Sequence, residues 1–132
     1  MVPSLQPVKK ILIADESPAV RDAAGQVLAA AGYRVLPAAD GIEALAVLDR
    51  DAPDMLMCGI ALPRLDGLSA CLLIRRNARH ANLPIVMLSD AEGLFDRARC
   101  AMAGADAYLA KPFSEEGLLQ IVRAYVDGVD GA

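Results

Sequence analysis

Four short runs of this chain are apolar almost throughout: 10–14 (KILIA), 55–60 (MLMCGI), 84–89 (PIVMLS) and 105–109 (ADAYL). A strand with one face in water alternates apolar and polar residues, so runs like these describe parallel strands covered by helices on both faces. Longer stretches of helical length lie between them, among them PAVRDAAGQVLAAAG and GIEALAVLDRD. A fifth run, Tyr33 to Ala38, is less uniform and suits a sheet edge. Five strand-helix units result. Right-handed crossovers wind such units into an open α/β sandwich, with any site outside the carboxyl ends of the strands.

The punctuation agrees with these cuts. Ser17-Pro18 reads as an N-cap followed by an N1 proline, Gly32 as a helix C-terminus, and Ser114 followed by Glu115 and Glu116 as the start of the last helix. Val20, Ala24, Val27, Leu28 and Ala31 form a stripe at helical spacing on the first helix, and Leu118, Ile121, Val122 and Tyr125 repeat it on the last. The same cuts place Asp15, Glu16, Gly59, Ser89 and Lys111 on one rim of the sheet.

With 132 residues and 55% apolar content the chain is long enough to bury one core unaided, and no linker or repeat divides it. No run approaches the roughly 20 apolar residues of a membrane span, and MVPSLQPVKK lacks a signal-peptide core, so a cytoplasmic location without membrane contact is expected. Cys58, Cys71 and Cys100 are odd in number and set in apolar stretches without paired metal spacing, which predicts buried free thiols. A net charge of −4 argues against a nucleic-acid partner. The RRNAR cluster reads as a solvated helix end, and His80 as a surface histidine in a polar connector.

Taken singly, the rim residues are ambiguous. Adjacent carboxylates at a strand end, Asp15 and Glu16, suit a hard cation such as Mg²⁺, or one of them caps the following helix. Lys111 is placed to neutralise a phosphoryl or carboxylate group, or is a surface lysine; Ser89 is placed to bond a phosphoryl oxygen, or caps a helix.

Together ADESP, LPRLDG, PIVMLSD and GADAYLAKPF, in this order and at these strand ends, resemble the bacterial response-regulator receiver (CheY-like) family over nearly the whole chain. The resemblance implies a (βα)5 doubly wound, flavodoxin-like sandwich whose five-stranded parallel sheet has the order 2-1-3-4-5. A receiver domain is expected over 9–127, between a flexible N-terminus (1–8) and a C-terminal tail (128–132). In that family an acidic pair binds Mg²⁺, an aspartate ending the third strand accepts a phosphoryl group, and a Ser or Thr and a Lys end the fourth and fifth strands. Asp15, Glu16, Ser89 and Lys111 match. PRLDGLSACLLIRRN and the segment containing GLFDRAR are similar, more narrowly, to stand-alone receivers of type IV pilus, twitching-motility systems.

The acceptor does not match. In PDMLMCGIALPRLDG, counting forward from Pro53 or back from Pro63 lands on Gly59, and no carboxylate lies between Met55 and Leu62. Asp54 is at the other end of the strand, roughly 16 Å away at the strand rise. Glycine offers no nucleophile for an acyl phosphate and no metal ligand, and Glu16 stands where the family usually has Asp. The expectation is therefore an atypical pseudo-receiver, not an enzyme, with no cofactor, Mg²⁺ bound weakly if at all, and Asp15 or Glu16 pairing directly with Lys111.

Ser89 and Tyr108 match the family's switch hydroxyl and switch aromatic, although Tyr108 reads equally well as a packed core aromatic. The expected partner is a protein, either a chemotaxis-type histidine kinase or a motility regulator, docking on the face made by the fourth helix, fifth strand and fifth helix. A second reading keeps phosphotransfer, with Gly59 an engineered replacement of Asp or with Asp90 standing in, though Asp90 reads more readily as a helix cap. A flavin carrier or independent enzyme on a similar sheet is disfavoured, since ADESPAV supplies no glycine-rich phosphate loop.

Overall fold

Five parallel strands run through the centre of the molecule in the order β2-β1-β3-β4-β5. The structure is a computed structural model that describes residues 7–90 and 94–128, the side chains of 94 and 95 excepted. In chain order the elements are β1 (Lys10–Ala14), α1 (Pro18–Ala30), β2 (Arg34–Ala38), α2 (Gly41–Asp51), β3 (Met55–Gly59), α3 (Gly67–Arg76), β4 (Ile85–Ser89), α4 (Leu94–Ala103), β5 (Ala107–Ala110) and α5 (Glu115–Val122). A 3₁₀ turn covers Ala78–His80, and a π turn, Arg123–Asp127, follows α5. Most of the expected N-terminal stretch 1–8 and of the tail 128–132 lies outside the described residues.

The two-residue period of the strands sorts their apolar side chains between two cores. Ile11, Ile13, Met55, Met57, Val86 and Leu88 pack on one face with Ala24 and Leu28 of α1 and Leu118 and Val122 of α5. Leu12, Ala14, Leu56, Cys58, Ile85 and Met87 pack on the other with α2, α3 and α4. That two-sided burial is why β1, β3 and β4 read as unbroken apolar runs. Cys58, Cys71 and Cys100 are free and buried on the second face, and burial raises the pKa of each thiol. Among the described residues no helix is long and apolar enough to cross a membrane.

Helix starts follow the local chemistry. Ser17 accepts from Val20 N at 3.3 Å with Pro18 opening α1, Asp40 accepts from Glu43 N at 2.8 Å, Asp66 from Ser69 N at 2.9 Å, and Ser114 from Gly117 N at 2.9 Å. Gly32, at φ 97°, takes the left-handed conformation that ends α1.

β2 lies at the sheet edge, where the less uniform run was expected. Arg34 N donates to Lys9 O and Asp15 N to Ala38 O. Even-numbered residues of β2 therefore bond inward to β1, and Pro37 sits where an N–H would point outward.

Some expectations are corrected. β3 stops at Gly59 rather than residue 60, because the chain turns at once and Gly67 N donates to Ile60 O at 2.8 Å. β5 starts at Ala107 rather than residue 105, since Ala105 N still donates to Cys100 O in the turn closing α4 and Asp106 N makes the first bond to β4, at Ile85 O. Ala31 is exposed at the C-cap of α1 instead of on its buried stripe. Tyr125 is 39% exposed rather than inward. The wider π turn breaks the 3.6-residue period, so Val126 packs toward the core in its place.

Candidate functional site

The carboxyl ends of the strands bring Asp15, Gly59, Ser89 and Lys111 to one rim, as β1, β3, β4 and β5 all end there. Strand period divides them. Asp15, Gly59 and Lys111 continue the rows of Ile13, Met57 and Leu109 toward the α1–α5 side, whereas Ser89 continues the row of Met87 toward the other.

Asp15 is fully buried. Its Oδ1 accepts from Ser17 N at 2.9 Å and its Oδ2 from Lys111 Nζ at 2.9 Å. Arg21 Nη1 donates to the Asp15 carbonyl at 2.6 Å, anchoring the backbone at this point. The lysine side chain is only 12% exposed, so both partners of the ion pair are largely removed from water. Taking either charge out of water alone is costly, and here each is the other's compensation. Lys111 is set in place by its own N–H, which donates to Ser89 O at 2.8 Å; the peptide that follows, Lys111-Pro112, is cis.

Of the two acidic residues expected beside Lys111, the structure pairs Asp15. Glu16 is exposed. Asp90 Oδ1 lies 3.9 Å from Lys111 Nζ on a side chain that is 84% exposed, a loose contact at the mouth of the rim. Its expected capping role concerns residues 91–93, which lie outside the described residues. Asp54 accepts from Lys10 N at 2.7 Å at the opposite strand end.

Gly59 is buried against this pair. A Cβ placed on it would stand 2.9 Å from Asp15 Oδ2 and 3.5 Å from Asp15 Cγ. A side chain at position 59 would thus meet the Asp15 carboxylate at once and require it to shift. Behind Gly59 the chain is equally close. A Cβ on Gly67 would lie 2.0 Å from Gly59 O, so only glycine at 67 lets the start of α3 approach β3 this closely.

Ser89 is 6% exposed at the end of β4. Tyr108, half-buried, pairs in register with Met87 and packs against the α2–α3–α4 core. The Arg97 guanidinium carbon lies 5.2 Å from the centre of its ring, within cation–π range. Sequence reasoning missed the roles of Arg21 and Arg97. Arg97 lies in the GLFDRAR segment, yet no local signal ties an arginine on α4 to an aromatic on β5. Among the described residues no three His, Cys, Asp or Glu side chains converge as a metal site.

Residues 11–123 match the family model described as the response regulator receiver domain. The chain is 40% identical over 117 residues to the protein PilG of Pseudomonas aeruginosa, covering 89% of this chain and 87% of that one. It is 39% identical over 121 residues to the DNA-binding dual master transcriptional regulator RpaA of Synechocystis, covering 92% of this chain and 50% of RpaA, so it spans about half of that relative's length. Among solved structures, a putative response regulator from Chloroflexus aurantiacus superposes with a TM-score of 0.88 at 35% identity, over 92% of this chain and 99% of that one. The chemotaxis protein CheY4 of Vibrio cholerae gives 0.86 at 29%, over 90% and 99%. The receiver domain of the sensor histidine kinase PA1611 from Pseudomonas aeruginosa, with a magnesium ion coordinated in its active-site cleft, gives 0.85 at 33%, over 92% and 99%. The parallel sheet in this strand order, the rim at its carboxyl edge and these likenesses agree: the chain belongs to the response regulator receiver domain family, the CheY-like signalling modules of two-component systems.

Proposed function

We propose that this receiver works as a phosphorylation-independent protein-binding module. One observation carries the reading: the buried Asp15–Lys111 pair fills the space in front of Gly59, which itself offers no nucleophile. Acyl-phosphate formation needs a carboxylate aligned with the phosphoryl donor and a metal to gather the charge. The donor set fits Mg²⁺ poorly. Asp15 already carries an ammonium 2.9 Å from Oδ2, Glu16 points to solvent, and position 59 adds no oxygen, whereas Mg²⁺ demands near-octahedral oxygen coordination. Asp15, Glu16, Ser89, Tyr108 and Lys111 are then the remnant of a phosphate pocket held together by its own ion pair.

The surface offered to a protein partner in this reading is the face of α4, β5 and α5. The likeness to stand-alone type IV pilus receivers directs attention to a chemotaxis-type histidine kinase or a motility regulator in the cytoplasm. Intact mass after incubation with acetyl phosphate and Mg²⁺ tests the proposal. The expected result is an unchanged mass, and a stoichiometric gain of about 80 Da, one phosphoryl group, overturns it. The nearness of Asp90 to Lys111 favours a second reading in which Asp90 takes the phosphoryl group. An adduct that forms on the wild type and vanishes in Asp90→Asn would establish that reading instead.

A further inference from the structure

We propose that Arg97 is a latch on Tyr108, a positioning residue whose guanidinium, stacked on the ring, holds the α4–β5 surface in one arrangement without a phosphoryl signal. This rests on the phosphorylation-independent reading above, since a domain with an acyl phosphate would have another means of setting the ring.

Arg97 projects from the first turn of α4, and Tyr108 is the second residue of β5. The 5.2 Å contact therefore ties a helix to a strand across the turn that joins them. Tyr108 is fixed from beneath by the core and from above by the arginine: its ring packs against the cluster that contains Met87 and Cys100. Arg97 itself is exposed, so its charge remains hydrated while its guanidinium carbon lies over the ring. Arginine suits this better than lysine, because a planar, weakly hydrated guanidinium stacks where an ammonium does not.

β5 carries the latch to the ion pair. Two residues beyond Tyr108 the strand ends at Ala110, which pairs in register with Ser89, and the next residue is Lys111. A change in the ring is thus three residues from the Asp15–Lys111 contact along a single strand. A two-state ring needs something that favours one orientation over the other, and the stacked cation supplies that difference. Contacts of this kind shift such a ratio by roughly two- to thirty-fold.

The test follows the Tyr108 ring by NMR in protein carrying ¹³C-labelled tyrosine, without any phosphodonor. Tyr33 and Tyr125 serve as internal controls, and the Tyr108 signals are assigned by their loss in Tyr108→Phe. In Arg97→Gln the Tyr108 signals are expected to move or broaden while the other two tyrosines stay in place, and Arg97→Lys is expected to restore the wild-type position only in part. A purely structural arginine would leave no such graded, single-ring response. Unchanged Tyr108 signals in Arg97→Gln, or full restoration by Arg97→Met, which has bulk but no charge, would overturn the latch. An acetyl phosphate adduct on the wild type would instead overturn the function on which it rests, so the two failures are told apart.

Discussion

Two cation–carboxylate pairs stand at opposite ends of the sheet, and they are built differently. At the amino ends of β4 and β5, Arg75 of α3 donates from Nη2 to Asp106 Oδ2 at 2.9 Å, from Nε to Gly104 O at 2.8 Å, and from Nη1 to Leu83 O at 2.6 Å. The same Asp106 oxygen accepts from Ile85 N at 2.9 Å, so one guanidinium stitches α3, the start of β4 and the turn before β5. At the carboxyl ends, Lys111 makes one close contact, to Asp15, with Asp90 farther off at 3.9 Å. The first pair is a multidentate clamp with its geometry fixed by a planar fork; the second is a point contact between two buried charges. A clamp holds loops in place, whereas a point contact keeps a pocket closed and is able to re-form with another partner.

The sharpest way to break the comparison is to remove one buried charge. Asp15→Ala leaves the Lys111 ammonium largely out of water and is expected to cost about 3 kcal/mol in urea unfolding at neutral pH. Asp15→Ala combined with Lys111→Met is expected to recover most of that loss; equal loss in the double variant would show that the contacts of Asp15 to the backbone, not the pair, carry the energy. At the other end Arg75→Ala is expected to cost about 2 kcal/mol, through carbonyls left without their donor. Arg75→Lys should lose nearly as much, because a single ammonium does not reach Gly104, Leu83 and Asp106 together. Full rescue by lysine would make the two ends alike.

The smallest effect is a pH dependence at Tyr33, which precedes β2 at the edge of the sheet. Burial and the nearby Asp127 carboxylate, which accepts from its hydroxyl at 2.6 Å, raise the Tyr33 phenol to about 12 from an ordinary value of 10.0. The folded state then holds this proton more tightly than the unfolded chain. The stability contributed is complete below pH 10 and fades as pH rises toward about 12. Ultraviolet titration of the wild type beside Tyr33→Phe reads it: the difference spectrum should show a phenolate forming near pH 12, and a midpoint near 10 would refute the contact.

The strands were legible because β1, β3 and β4 are covered on both faces and their apolar runs say so, whereas the sheet order came from the family resemblance, since apolar runs do not say which strand lies beside which. Gly59 was legible by counting from two prolines, since a strand of fixed length leaves one position for its last residue. The choice of Asp15 over Glu16 for Lys111 was not, because it depends on the direction in which the chain leaves β1. Nor was Tyr125's exposure, which follows from a π turn that no residue pattern announces. The Arg75 node and the Arg97–Tyr108 stack escaped for a different reason: their partners are 31 and 11 residues away, and only the folded chain makes them neighbours.

Pro37 leaves the outer edge of β2 without a hydrogen-bond donor at the fourth of its five residues. An incoming strand would find a gap in the ladder there, so this edge is a poor template for cross-chain sheet growth and for the aggregation that begins with it. Association through this side of the molecule must then be made by side chains on helices, which recognise shape and charge, and not by the backbone, which accepts nearly any strand.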